Sequence, residues 1–251
     1  MDLVLDIGNY RLKGAFFDGD QVVESFVTPP EKVQLEKALE GKRADQVLIS
    51  SVNSEAEPMV REVLAAQGFS FQMLDFSTLK VGLDVEQPEA VGHDRIANVY
   101  GALFHFPQND CIVVDLGTAV TFDYASCDGR YLGGAIYPGI DIGAKALAEN
   151  IEKLPQVDIA KPPLAVAKTT ITHIQSGLYW GLLGAIERIT FEMRNISSSP
   201  SDVKVIATGG LLSKMDPEEF AKDLSDFVDL IDTRLTLIGI HEIMKEKNKD
   251  A

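Results

Sequence analysis

Val4-Leu5-Asp6-Ile7-Gly8-Asn9 and Val113-Val114-Asp115-Leu116-Gly117-Thr118 say one thing twice. Each is a short apolar run that ends in Asp and passes through a Gly-containing turn. Each is followed by a second run, Tyr10 to Phe17 or Ala119 to Tyr124, that reads as the return strand of a hairpin. Asp6 and Asp115 stand 109 positions apart in a chain of 251, which suggests two half-molecules built on one plan. A buried strand rarely ends in a carboxylate without a partner for its charge. Glycine turns let backbone N–H groups approach phosphate oxygens, and an Asp at each strand end can hold a cation among them. The repeat therefore predicts a nucleotide clamp, with Asn9, Lys13 and Thr118 as further donors to phosphate.

Outward from these runs, the first half reads as strands near 2–7, 11–17 and 21–27, a helix near 31–40, a strand at 46–51, a helix at 54–66 and a strand at 70–74. Ile96, Ala97, Tyr100, Leu103 and Phe104 fall at helical spacing and predict a helix over 92–106. The second half restarts with strands at 111–116, 119–124 and 130–137. Pro138-Gly139 ends that series, and a helix follows near 140–149. An irregular segment at 151–169 precedes a long helix over 171–194. Then come a strand at 203–207, a short helix, a strand near 226–230, a terminal helix near 233–247 and a charged tail, Lys245 to Ala251, expected to fray. The pattern implies an α/β fold with a mixed sheet in each half, domains at 1–108 and 109–251, and ligand binding in the cleft between them.

Composition narrows the function. Hydrophobic residues make up 45% of the chain, ample for a core, yet no window approaches the roughly 18 apolar residues of a membrane span. The N-terminus enters a strand directly, with no basic-then-apolar leader, so a cytoplasmic protein without membrane contact is expected. A disulfide between Cys111 and Cys127 is not expected there. The net charge of −15 argues against nucleic acid, whose phosphates need clustered Lys and Arg. An anionic substrate then requires a local basic pocket, for which Lys13 and Arg95 are the candidates.

Four further stretches carry candidate chemistry. Gly92-His93-Asp94-Arg95 opens a helix. Its acid either complements the positive helix end or serves as general base toward a substrate hydroxyl, with Arg95 gripping a carboxylate. His93 reads as an exposed helix-start residue, and neither His105 nor His173 has metal-ligand spacing. The run Tyr131 to Gly139 is either a bulged strand or a glycine platform for a substrate. Gly177, Gly181 and Gly184 lie inside the long helix, where each costs roughly 1 kcal/mol relative to Ala; close packing against another helix or a nucleotide is the expected reason. Trp180 beside them reads as a packing or subunit-interface anchor. Thr208-Gly209-Gly210, after a buried strand, is where the adenosine end of a nucleotide would lie.

Together these blocks resemble the superfamily of acetate kinase, sugar kinases, heat-shock ATPases and actin, and within it the type III pantothenate kinases. The resemblance rests on Asp6-Ile7-Gly8-Asn9, Gly92-His93-Asp94-Arg95-Ile96-Ala97-Asn98, Asp115-Leu116-Gly117-Thr118-Ala119, Gly133-Gly134 with Pro138-Gly139, Thr170 with Ile174-Gln175-Ser176-Gly177, and Thr208-Gly209-Gly210, in the family's order. It implies duplicated actin-like (ribonuclease H-like) domains, each a mixed five-stranded sheet flanked by helices, with a central cleft. It implies an ATP-dependent kinase that phosphorylates the primary hydroxyl of pantothenate, the first step of coenzyme A biosynthesis, in a cytoplasmic homodimer using Mg²⁺ and a monovalent cation, K⁺ or NH₄⁺. Carried over by position, Asp6, Ile7, Gly8, Asn9, Tyr10, Arg11, Leu12 and Lys13 form the ATP phosphate loop, and Asp6 organises Mg²⁺, partly through water. Asp94 becomes the catalytic proton acceptor within a pantothenate-binding set of Gly92, His93, Asp94, Arg95 and Thr170. Asp115 coordinates the monovalent cation, and Thr118, Gly209 and Gly210 contact ATP. Two positions depart from the family pattern: Tyr10 stands where Thr is usual, and Val85 where a substrate-contacting Tyr is usual. They leave room for a non-catalytic regulatory relative, or for a phosphotransferase acting on another small hydroxylated acceptor.

Overall fold

The structure, a computed structural model, describes residues 1–76 and 79–249. The backbone forms two compact units. The first holds Met1–Val81, Gln87–Phe104 and the chain from Arg234 onward; the second holds Gly82–Glu86 and His105–Thr233. A single cut at residue 108 would place the last helix with the second half, whereas its contacts lie in the first unit.

In the first unit, β1 (Asp2–Ile7), β2 (Leu12–Asp18) and β3 (Gln21–Thr28) form an antiparallel meander. Helix α1 (Lys32–Leu39) leads to β4 (Gln46–Ser51), parallel to β1, and α2 (Glu57–Ala66) leads to the short β5 (Gln72–Met73), giving the order β3-β2-β1-β4-β5. Strand alternation gives the sheet two buried faces. Leu3, Leu5, Ile7, Val47 and Ile49 pack with Leu35, Leu39, Val60 and Leu64 of α1 and α2. Val4, Ala15, Phe17 and Leu48 pack on the other face. There they meet Ala97 of α3 (His93–His105), the helix that carries Asp94 and Arg95.

The second unit repeats the plan. Strands β7 (Cys111–Leu116), β8 (Ala119–Ser126) and β9 (Arg130–Pro138) form the meander, and α4 (Ile140–Asn150) follows it. Helix α5 (Thr170–Arg194) leads to β10 (Lys204–Thr208), parallel to β7; α6 (Pro217–Leu224) leads to β11 (Leu230–Ile231), parallel to β10. The sheet has six strands rather than the expected five, in the order β11-β10-β7-β8-β9-β6, because β6 (Gly82–Leu83) pairs with Arg130 and Tyr131 at the edge of β9. Ile112, Val114, Leu116, Val205 and Ala207 pack against Tyr179, Leu182, Ile186 and Phe220 of α5 and α6. The glycine-rich β9 contains a bulge: its register with β8 slips between Asp123 and Ala125, and Gly133 takes φ +102°.

Helix α7 (Leu235–Lys249) closes the chain in the first unit. It lies so close to α3 that a Cβ at Gly239 would sit 1.7 Å from the Ala97 carbonyl oxygen. Leu237, Ile240 and Met244 fill the core beside Val4 and Leu48. The tail expected to fray is helical through Lys249; residues 250 and 251 lie outside those described.

The glycines of α5 overturn one expectation. A Cβ at Gly177, Gly181 or Gly184 would meet no atom within 4 Å, so their small size serves no close packing within the described chain.

Candidate active site

The first acidic hairpin is β1–β2. Asp6, only 8% exposed, lies directly opposite Lys13, and Ile7 opposite Leu12. The four residues between the strands are closed by the Gly8 amide, which donates to the Arg11 carbonyl at 3.0 Å. Asn53, just beyond β4, holds the turn from outside. Its Nδ2 donates to the Gly8 carbonyl at 3.3 Å while its Oδ1 accepts from the amides of Glu55 and Ala56 at 3.1 and 3.0 Å. Asn9, Tyr10 and Arg11 are exposed, with Tyr10 at 76%. Ile7 and Leu12 are fully buried in the core, so what these two members of the predicted phosphate loop can offer a ligand is backbone alone.

The second acidic hairpin is β7–β8. Asp115 is half-buried and faces Thr121 across the ladder; Gly117 and Thr118 form a two-residue exposed turn. Here backbone closes on backbone. Gly209 has φ +108°, and a Cβ on it would lie 2.5 Å from the Leu116 amide nitrogen and 2.6 Å from Asp115 Oδ1. A Cβ on Gly139 would lie 2.0 Å from the Thr118 carbonyl oxygen. Three sequence-predicted features, the 115–118 turn, Pro138-Gly139 and Thr208-Gly209-Gly210, are thus brought together within this unit.

After Gly210 the chain makes a 3-10 turn to Ser213 and borders a cavity of about 290 Å³ lined by Ile159, Lys161, Tyr179, Met215, Glu219 and Phe220. Lys161 pairs with Asp223 at 2.7 Å and Glu219 at 3.2 Å, and Tyr179 donates its hydroxyl to Asp223. Burial, then that carboxylate, push the Tyr179 phenol far upward. Burial opposes the ionisation of Asp223, but the Lys161 and Tyr179 hydrogen bonds outweigh it and hold its carboxyl below the ordinary range.

The segment Gly92–Arg95 lies where α3 begins. The Arg95 amide donates to Asp94 Oδ1 at 2.9 Å, and the amides of Arg95 and Ile96 both donate to the Gly92 carbonyl. A Cβ on Gly92 would lie 2.6 Å from Asp94 Oδ1. The first turn of the helix thus fixes an exposed carboxylate. His93 is not the exposed residue expected: it is half-buried, its ring stacks on Phe76 at 3.8 Å and 11°, and Nδ1 is buried with no hydrogen-bond partner. Thr170 is exposed at the first position of α5, beside the Thr169–Thr172 capping box. Val85, two residues beyond β6, approaches Gly133, 3.5 Å from where a Cβ would stand.

Sequence reasoning missed Ser50 and Asn53. Ser50 pairs in parallel register with Asp6, as Thr208 does with Asp115. Ser50 is 1% exposed and Thr208 0%, and neither hydroxyl oxygen has a hydrogen-bond partner. The signal was present: if the Asp strands are equivalent, so are the parallel strands beside them. Carboxylate and hydroxyl oxygens suit a hard cation such as Mg²⁺. Among the described residues no three or more His, Cys, Asp or Glu cluster as a metal cage.

Comparisons with known proteins bear on family and fold. A profile for type III pantothenate kinases matches residues 2–192. A type III pantothenate kinase of Geotalea daltonii is 33% identical over 272 aligned positions, covering 100% of each chain. Among solved structures, a Baf family protein from Campylobacter jejuni superposes with a TM-score of 0.59 at 24% identity, covering 98% of this chain and 99% of that one. MreB5 of Spiroplasma citri bound to ADP superposes with a TM-score of 0.52 at 9% identity, covering 99% and 97%, a likeness of fold alone. The fold is actin-like, with two mixed sheets flanked by helices, and the chain belongs to the type III pantothenate kinase family.

Proposed function

We infer that this protein transfers the γ-phosphate of ATP to the primary hydroxyl of pantothenate, the opening step of coenzyme A biosynthesis. Family membership over the full chain supports the reaction. The observation that carries the chemistry is the Asp94 carboxylate, exposed and fixed by the first turn of α3.

In this reading the amides of the Gly8–Arg11 turn, Asn9 and Lys13 bind the phosphates, and Asp6 holds Mg²⁺ directly or through water. Thr118 and the Gly209-Gly210 backbone take the nucleotide at the second hairpin, with its adenosine end toward the cavity beyond Gly210. Asp115 holds a monovalent cation, K⁺ or NH₄⁺. The bound cations offset phosphate charge as it redistributes in the transition state. Gly92, His93 and Thr170 bind pantothenate, and Arg95 pairs with its carboxylate. Asp94 accepts the hydroxyl proton as the oxygen attacks the γ-phosphorus in line and ADP leaves. Much of the acceleration is positional.

The protein acts in the cytoplasm as a homodimer. No helix among the described residues is long and apolar enough to cross a membrane. The exposed side of α5 carries Gly177, Gly181 and Gly184 with open space around them, beside Trp180 at 38% and Phe191 at 56% exposure. A second copy seated there would give those glycines their reason. Light scattering on the purified chain measures the state.

The direct test incubates the protein with ATP, Mg²⁺, K⁺ and pantothenate and follows ADP and 4′-phosphopantothenate. ADP formation independent of pantothenate would indicate another acceptor, and intact nucleotide binding without turnover an accessory protein. Asp94→Asn is expected to fold and bind ATP normally while losing at least ~100-fold in turnover, the scale of a lost general base. A nearly wild-type rate removes Asp94 from the chemistry.

A further inference from the structure

Ser50 and Thr208 occupy the same place in the two copies of the fold. Each ends or nearly ends the strand running parallel to an Asp strand, in direct register with Asp6 or Asp115. Alternation puts Asp6 and Ser50 on the sheet face of Val4 and Leu48, opposite Leu5, Ile7, Val47 and Ile49. In the second unit Asp115 and Thr208 share the face opposite Val114, Leu116, Val205 and Ala207.

Thr28 Oγ1, at the end of β3, also lacks a partner, but several other buried hydroxyls are satisfied within the chain. Thr190 donates to the Ile186 carbonyl at 2.7 Å, Thr236 to Asn98 at 2.8 Å and Ser176 to the Ala165 carbonyl at 2.6 Å. Ser50 Oγ and Thr208 Oγ1 have no such partner. A buried hydroxyl without a partner is costly and uncommon. Two of them, at one repeated position and each beside a strand-end carboxylate, imply partners that come from outside the chain.

We propose that Ser50 and Thr208 are positioning residues for the nucleotide: each hydroxyl bonds to an oxygen that arrives with Mg²⁺–ATP, donating its hydrogen to a phosphate oxygen or accepting one from a metal-bound water. The inference rests on the kinase reading and deepens it. Apolar replacements then relieve the unliganded protein of an unsatisfied group while depriving the liganded one of a hydrogen bond.

The test uses Ser50→Ala and Thr208→Val, with Ser50→Thr and Thr208→Ser as hydroxyl-retaining controls. Two quantities are measured: Tm without nucleotide, and affinity for the non-hydrolysable analogue ADPNP, with Mg²⁺ or with EDTA. The apolar variants are expected to keep or raise the nucleotide-free Tm and to bind Mg²⁺–ADPNP about 10-fold more weakly, with affinity restored in the controls. The rise in Tm on adding nucleotide shrinks in parallel. A loss that persists in EDTA assigns a phosphate oxygen as acceptor; a loss seen only with Mg²⁺ assigns metal-bound water. Unchanged affinity in both variants overturns the inference while the kinase reading stands, as does an affinity loss that merely follows a lowered nucleotide-free Tm. Failure of the wild-type protein to bind ADPNP overturns both.

Discussion

The two acidic hairpins share a strand plan and are closed by different means. In both, an Asp stands one residue before the end of an inner strand and a buried hydroxyl residue lies beside it on the next parallel strand. The first hairpin has a four-residue turn held by one side chain, Asn53, through a 3.3 Å hydrogen bond. The second has a two-residue turn against which the backbone at Gly139 and Gly209 packs without room for a methyl group. A side-chain clip can lose a bond and keep its geometry. A backbone clasp has no side chain to adjust, so any added atom moves the hairpin itself.

The sharpest test sets glycine against glycine. Gly139→Ala would push a methyl group to 2.0 Å from the Thr118 carbonyl oxygen, and only movement of backbone relieves it. Overpacking on this scale is expected to cost about 3 kcal/mol or more, enough to lower yield and Tm sharply. Gly8→Ala, whose new atom would stand 3.1 Å from the Arg11 carbonyl, should cost less than about 1 kcal/mol. Chemical denaturation of the two variants measures the difference; equal losses would break the contrast between clasp and clip.

Asn53→Ala strikes the clip. It removes two bonds to the amides that begin the turn into α2 as well as the bond to Gly8. Each lost hydrogen bond costs about 1 kcal/mol, and the freed Gly8 carbonyl belongs to the turn proposed to bind phosphate. The expectation is a drop of about 1–2 kcal/mol in stability and a raised KM for ATP with kcat little changed. A kcat loss matching that of Asp94→Asn would mean that the turn positions the reacting phosphate rather than only binding it.

What was legible in the sequence follows from the same contrast. The Asp-x-Gly repeat exposes its meaning because strand ends and turns are local, and their residue types are dictated by local geometry. The three hairpin-type strands that open each half were legible for the same reason. Ser50 did not stand out, since a Ser ending a strand is ordinary until its register with Asp6 is known, and register is set by long-range pairing. The sixth strand was hidden because Gly82–Leu83 is too short to show a period. The glycines of α5 were read as packing sites because helix propensity says only that a reason must exist, not whether it lies inside the chain. The placement of α7 in the first unit depends on Gly239 meeting Ala97 across more than a hundred residues, a contact no local pattern announces.

The smallest effect is expected at Tyr10, and it bears on why the hairpins differ in length. Aligned from their Asp residues, Tyr10 matches Ala119, yet Ala119 already begins β8 while Tyr10 sits inside the longer turn before β2. Its ring is 76% exposed and supports no core, so Tyr10→Thr should change stability by less than about 0.5 kcal/mol. If the turn binds phosphates through its amides alone, KM for ATP should also move by less than about threefold, a difference under 1 kcal/mol. The ring adds no charge and the amides are untouched. A tenfold change in either direction would show that the ring lies on the nucleotide once it binds, and that the extra length of the first turn exists to bring a side chain onto the ligand. The two hairpins would then differ in kind: one a fixed cradle of backbone, the other a loop that closes on what it holds.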